Sequence, residues 1–327
     1  ILWLQGFESP ALTLVMRAVS NLGDTLYYVS FLLVLSFWLR LKPTLGLLLG
    51  LLLAAAATEG LKNAIALPRP SDVCAELRQP GRVAREAAAA HDTQGFWGLP
   101  GPAAASAMEA AANADYGFPS GHASAATAFA LGLVLFFGRR RFLAFAVGWP
   151  IVMGLSRIYL GRHFLADVLG GVAVGGASAL LAWLWLRWLD RGRNGTGWRR
   201  RRAALTGMLA LGFAAWAVAT PAFEPQSVGR AAGVAGAYMV LVVAGFPADA
   251  GEPWQRGARM ACAGLIFFAA NALAEWLLDA AGWDRVRVAA FLAGIVHLGG
   301  ALLAAVGVGR RMGWFQAFLR RRKRSRS

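Results

Sequence analysis

Apolar residues in this chain come in long blocks, not in the alternating pattern of a half-buried strand or the single stripe of a surface helix. Nine segments stand out: 22–40, 43–66, 120–138, 141–159, 164–186, 203–220, 229–247, 258–278 and 288–309. A helix needs roughly 20 mostly apolar residues to cross the hydrocarbon core of a bilayer, and a helix that is apolar all round has to be buried in lipid or among other helices. The pattern therefore predicts nine spans. It is densest at Leu45–Ala57, Phe164–Leu186 and Phe291–Val308, whereas small residues and the polar Asn271 and Glu275 dilute 229–247 and 258–278. Residues 1–19 read as a shorter apolar helix carrying Glu8 and Arg17, lying at the membrane interface instead of crossing it. The Gly- and Ala-rich stretch Gly170–Gly176 suits close helix packing.

Composition narrows the class. Of 327 residues 57% are hydrophobic and only 15% charged, against about 25% charged in soluble domains. A cytosolic enzyme or a secreted domain is excluded for want of polar surface, leaving an all-α polytopic membrane protein. Cys74 and Cys262 are too few for a disulfide scaffold and have no metal-site spacing. The chain begins at Ile1 instead of Met, so a native start or signal can precede it.

The net charge of +16 matters through its placement. The connections after the first, third, fifth and seventh spans, with the tail, hold 22 of the 33 Lys+Arg. By the positive-inside rule the N-terminus is expected outside and the C-terminus in the cytoplasm. The basic tail Arg320–Arg326 has two readings, a nucleic-acid arm or an anchor on anionic lipid. Its juxtamembrane position favours the lipid, and no nucleic-acid partner is expected. The connection 71–118 is long, net negative and on the outer side, with Ala-rich pieces around Phe96 and Trp97. It reads either as a solvated insertion with an aromatic anchor or as a partial lid. The expected organisation is an interfacial helix at 1–19, a core at 20–190 containing that insertion, a four-helix extension at 191–309 and a basic tail at 310–327.

This topology brings the ends of spans 2 and 4 and the starts of spans 3 and 5 to one membrane face, and those four ends carry most of the uncommon polar residues. Ionisable groups at such depth are costly, so their convergence predicts a functional site. His163 and Asp167 are spaced i, i+4 and share a helix face. A carboxylate there can accept from Nδ1 and leave Nε2 as a nucleophile. Lys62, Arg69 and Arg157 supply cations from three segments, and the arginine forks match phosphate oxygens. Pro119-Ser120-Gly121-His122 reads as a helix entry whose open N–H groups form an anion site. Gly121 allows close backbone approach, and the Ser120 hydroxyl adds a donor. His122 is then placed as general acid to a leaving oxygen and afterwards as base to water. The expected chemistry is phosphoryl transfer in two steps, through a phosphohistidine on His163. No metal and no cofactor are expected, because the cations already supply positive charge. Glu59 is one turn from Lys62. Tyr159 reads as a mouth residue or an interfacial anchor, and His91 as an ordinary loop histidine. Asn271, Glu275 and His297 read as interhelical hydrogen-bonding groups or, alternatively, pocket residues.

These residues resemble the three signatures of the type 2 phosphatidic acid phosphatase superfamily: Lys-x6-Arg-Pro as Lys62…Arg69-Pro70, Pro-Ser-Gly-His as 119–122, and Ser-Arg-x5-His-x3-Asp as Ser156-Arg157…His163…Asp167. The resemblance covers roughly residues 20–190. It implies His163 as nucleophile, Asp167 as its partner, His122 as proton donor, and phosphate binding by Lys62, Arg69, Ser120, Gly121 and Arg157. The family includes bacterial lipid phosphatases and the nine-span glucose-6-phosphatases. Four spans after the third signature, and Leu155–Leu160 followed by His163-Phe164, are similar to the latter, while the connection 71–118 departs from the pattern. The Ala-, Gly- and Arg-rich composition points to a GC-rich bacterium, whose cytoplasmic membrane would present a periplasm-facing site to lipid phosphates. A membrane lipid phosphate monoester or pyrophosphate is therefore the expected substrate. The alternatives are a small soluble ester such as glucose 6-phosphate, or phosphotransfer from the same intermediate to another acceptor.

Overall fold

A computed structural model of the chain describes residues 1–73, 77, 93–94, 99–100, 116–190, 195–283 and 286–315. His91, the Phe96–Trp97 pair, the Ala-rich pieces of the long connection and the tail beyond Phe315 lie outside them. Among the described residues the regular structure is helical, apart from a two-residue antiparallel ladder pairing Thr93–Gln94 with Leu99–Pro100. The helices are α1 (Leu2–Gln5), α2 (Pro10–Leu22), α3 (Thr25–Trp38), α4 (Leu41–Ile65), α5 (Pro70–Val73), α6 (Gly121–Phe137), α7 (Leu143–Tyr159), α8 (Leu165–Asp190), α9 (Gly195–Ala219), α10 (Pro225–Ala244), α11 (Pro253–Ala280), α12 (Arg287–Gly294) and α13 (Ala301–Arg311). A π-helical turn, Ile295–Gly300, joins the last two into one continuous element.

Each of the nine apolar blocks forms helix, but not all are of spanning length. Among the described residues, six helices are long and apolar enough to cross a membrane, or seven if the pair α2 and α3, bent by 57°, counts as one. The shorter ones have local causes. Helix α6 starts after the extended Ser120 and stops at Gly138, whose φ of 63° ends it in the left-handed region. Its 17 residues rise about 26 Å, short of the roughly 30 Å of a hydrocarbon core.

The chain divides into two compact units. The first comprises Ile1–Tyr28 and Leu53–Leu181. Its interior is built from small residues on facing helices: Ala123, Ala125, Ala126, Ala128 and Ala130 of α6 are buried. On α8, an added Cβ at Gly171 would lie 2.4 Å from the Ser120 carbonyl oxygen and one at Gly175 2.2 Å from that of Ser124. Only glycine permits that approach, so the Gly-rich stretch of α8 seats the N-terminal turn of α6. Aromatic residues close the side: Tyr28 packs on Phe129 at 4.8 Å between centroids, Phe145 stacks on Trp149 at 5.7 Å, and Trp149 Nε1 donates to Tyr28 Oη at 2.7 Å.

The second unit comprises Val29–Leu52 and Ala182–Ser327. Glycines again set its tightest contact, Gly229 and Gly233 of α10 against Phe291, Gly294, Ile295 and Gly299. Arg287 caps the end of α9, donating from Nε to Val218 O at 2.6 Å and from Nη2 to Thr220 O and Phe223 O at 2.7 Å each. Four connections that the charge distribution grouped together meet one another here. Lys42 Nζ lies 2.8 Å from Asp190 Oδ1, Leu41 N donates to Asp249 Oδ1 at 3.0 Å, and the Arg259 guanidinium sits over the Phe315 ring at 4.6 Å. Arg310 donates to the Gly245 carbonyl.

Candidate active site

All eight residues singled out for phosphate chemistry fall in the first unit. Lys62 closes α4, and Arg69 follows in the extended turn before Pro70. That turn is tied to the far end of the long connection, because Gly117 N donates to Leu67 O at 2.7 Å. The chain then passes Phe118 and a cis Phe118–Pro119 bond into Ser120, and α6 begins at Gly121.

The start of α6 has the form of an anion site. The first-turn N–H groups of a helix lack intrahelical acceptors, and the Ser120 side chain does not cap them. The Ser120 hydroxyl is fully buried and has no hydrogen-bond partner among the described residues. Gly121 meets only Thr58 Cγ2 at 3.7 Å. Protein crowding therefore does not demand glycine there; the space beside the turn is open on that side.

His163 lies in the short link between α7 and α8 and is only 1% exposed. Its Nδ1 is 3.4 Å from Asp167 Oδ2, the i, i+4 pairing expected, at a length beyond that of a well-formed N–H···O hydrogen bond. The same Oδ2 accepts from Phe164 N at 2.9 Å, which fixes the carboxylate against the entry to α8. Asp167 has a second role: its backbone carbonyl accepts from Ser120 N at 2.8 Å. One residue thus holds the imidazole with its side chain and the phosphate turn with its main chain. Burial, then the charges of Arg157, Arg69 and Lys62, and then His122 hold the His163 imidazole well below its ordinary pKa. It is therefore neutral at pH 7, as a nitrogen nucleophile must be.

The three cations that act on His163 are those the sequence grouped, and their fields also reach His122. Arg162, not singled out beforehand, acts on His122 as well; its position between Arg157 and His163 was the available signal. Gly117 was also missed. A Cβ there would come within 2.7 Å of Pro68 O and 3.2 Å of Asp167 Oδ2, so the glycine lets three chain segments converge. The contact of the N-terminal helix with the site was unforeseen too: Arg157 Nη1 donates to Ser20 Oγ. Tyr159 is buried, with its hydroxyl 2.8 Å from Thr13 Oγ1, and so forms neither mouth nor anchor. Asn271 bonds Glu275 on its own helix at 2.8 Å, and neither ring nitrogen of the buried His297 has a hydrogen-bond partner among the described residues. These residues belong to the second unit. Among the described residues, no three His, Cys, Asp or Glu side chains are grouped to hold a metal ion.

Known proteins match the same stretch. Residues 43–191 match the family described as the PAP2 superfamily. The chain is 36% identical over 66 residues to a lipid A 4'-phosphatase of Bacteroides thetaiotaomicron, covering 20% of this chain and 29% of the relative. It is 35% identical over 82 residues to the undecaprenyl-diphosphatase BcrC of Bacillus subtilis, covering 24% and 37%. It is 38% identical over 86 residues to the human sphingosine-1-phosphate phosphatase 2, covering 24% and 22%. The chain thus spans between about a fifth and two fifths of the length of these curated relatives. No solved structure matches significantly. The stretch that matches the PAP2 superfamily, residues 43–191, contains every one of the three signatures.

Proposed function

We propose that the protein is a membrane-bound phosphatase that hydrolyses a phosphate monoester or pyrophosphate on a membrane lipid, without a metal, through a phosphohistidine on His163. The observation that carries this reading is the buried imidazole of His163, 3.4 Å from the Asp167 carboxylate and within the field of Lys62, Arg69 and Arg157. A nucleophile and an electropositive cradle in one place suit attack on a phosphorus that bears negative oxygens. The relatives point to the lipid class, since their names describe phosphatases of lipid A, undecaprenyl diphosphate and sphingosine 1-phosphate.

In the first step the Nε2 lone pair of His163 forms the P–N bond while the bond from phosphorus to the leaving oxygen breaks. Protonated His122 delivers its proton to that oxygen. Asp167 balances the charge that develops on the His163 ring. In the second step neutral His122 takes a proton from water, the water oxygen bonds to phosphorus, and the P–N bond breaks to release inorganic phosphate. Through both steps the equatorial oxygens rest on Arg69, Arg157, Lys62, the Ser120 hydroxyl and the open N–H groups at Gly121. The site is read as facing the periplasm of a bacterial cytoplasmic membrane, with the C-terminal tail in the cytoplasm on anionic lipid.

The test is phosphate release by detergent-purified protein from phosphatidate, phosphatidylglycerol phosphate, a polyprenyl pyrophosphate and glucose 6-phosphate. Turnover of at least one lipid is expected, unaffected by EDTA and inhibited by vanadate. His163→Ala is expected to lose at least about a thousandfold in kcat with an unchanged melting temperature. Full turnover in that variant, or loss on chelation restored by a divalent ion, overturns the proposal. Preference for glucose 6-phosphate overturns the lipid assignment alone.

A further inference from the structure

Residues 1–28 pack in the same unit as the site, and the contacts of α2 fall on the signature segments themselves. Thr13, Met16 and Ser20 are spaced i, i+3, i+7 and so share one face of α2. Each meets the C-terminal turn of α7, where the third signature begins. Thr13 Oγ1 lies 2.8 Å from Tyr159 Oη, Ser156 Oγ donates to Met16 O at 3.1 Å, and Arg157 Nη1 donates to Ser20 Oγ. Gln5 of α1 adds a bond from Nε2 to Tyr159 O at 3.0 Å. The end of α2 reaches the second signature too. A Cβ at Gly23 would lie 2.5 Å from Met153 Cε and 3.0 Å from His122 Cδ2. The φ of Gly23 is −86°, open to any residue, so space and not backbone conformation calls for glycine.

We infer that the last turn of α2 belongs to the catalytic apparatus, with Ser20 a positioning residue that aims the Arg157 guanidinium and Gly23 leaving the room that His122 occupies. An arginine side chain has several rotatable bonds and recognises phosphate only when its planar fork is correctly turned. Arg157 is buried, as is Ser20, and a charge-assisted bond between them fixes the plane of the fork from behind. The three further contacts of α1 and α2 with Ser156 and Tyr159 set the register that brings Ser20 opposite Arg157. The glycine acts on the other participant: a methyl group at position 23 pushes Met153 or His122 aside, which changes where the proton is delivered.

This inference rests on the phosphatase reading, and the experiment separates the two. Steady-state kinetics on the lipid turned over fastest are measured for His163→Ala, Ser20→Ala, Ser20→Thr, Gly23→Ala and Leu14→Ala, each with its melting temperature in detergent. Leu14 lies on the exposed side of α2 and reports on the helix without touching the site. Ser20→Ala is expected to raise KM and the vanadate inhibition constant about tenfold, with Ser20→Thr restoring both. Gly23→Ala is expected to lower kcat more than it raises KM. Leu14→Ala is expected to match the parent protein. Undiminished turnover in His163→Ala overturns the underlying reading. An inactive His163→Ala together with unchanged KM and vanadate inhibition in Ser20→Ala overturns the positioning role. So does a Ser20→Ala variant that differs only in melting temperature.

Discussion

At the scale of single residues, Asp167 carries the most information. Its carboxylate faces His163 Nδ1, while its main chain receives the N–H of Ser120. Side-chain substitution therefore separates two roles that a deletion would confuse. In Asp167→Asn the main-chain tether to Ser120 stays, the amide has nearly the same shape, and only the charge that steadies the developing imidazolium is lost. We expect kcat to fall at least about a hundredfold with little change in KM, measured by phosphate release under saturating lipid. A variant whose loss lay wholly in KM would place Asp167 in substrate binding instead. The residues of the candidate site could be singled out in the sequence because costly polar groups inside apolar blocks have few structural excuses. Ser20, Thr13 and Gln5 were not legible. A serine or threonine in an apolar helix is common, and nothing in its local sequence names the guanidinium or hydroxyl it will meet some 140 residues later. Gly117 was hidden for a related reason, since the Pro68 carbonyl and the Asp167 carboxylate that crowd it come from elsewhere in the chain.

At the scale of elements, glycine pairs decide how closely helices approach. Without a hydrophobic drive between helices in lipid, association depends on close packing and hydrogen bonds. A Cβ on Gly229 would lie 2.1 Å from the Phe291 carbonyl oxygen, whereas one on Gly236 of the same helix would meet nothing within 4 Å. Gly229→Ala should therefore force α10 and α12 apart and destabilise the fold by about 1–3 kcal/mol. Gly236→Ala should be neutral or stabilising by up to about 1 kcal/mol, the helix propensity of alanine over glycine. Thermal unfolding in one detergent checks both, and equal effects at the two positions would contradict the packing account. Hydropathy marked nine blocks that all form helix, of which six among the described residues, or seven with the bent pair, are long and apolar enough to span. It sums composition over a window and does not register where a cap or a glycine cuts the helix, as Ser120 and Gly138 do for α6. The bend between α2 and α3, at the Gly23–Asp24 link, is likewise invisible to it.

At the scale of the whole molecule, the sidedness proposed from the charge distribution is open to a labelling test. The connections bearing Lys42, Asp190, Asp249 and Arg310 meet within the second unit, and these are connections that the basic residues marked as cytoplasmic. The site residues belong to the alternate set of helix ends. In vesicles of known orientation, with Cys74 and Cys262 replaced, a cysteine at Asn63 should react with an impermeant thiol reagent from one side only. Cysteines at Arg140 and Arg310 should react only from the other. Labelling of Asn63→Cys and Arg140→Cys from the same side would contradict the spanning arrangement.

The bond from Gly117 N to Leu67 O has a consequence for how such a protein can vary. It pins together the two strands of chain through which the stretch between Pro70 and Tyr116 departs and returns, so the distance between them is set before that stretch is counted. Extra length inserted beyond such a clasp adds only a slowly growing closure entropy and transmits no pull to Arg69 or Ser120. Insertions and deletions in that excursion should therefore be tolerated while Arg69 and Ser120 keep their places.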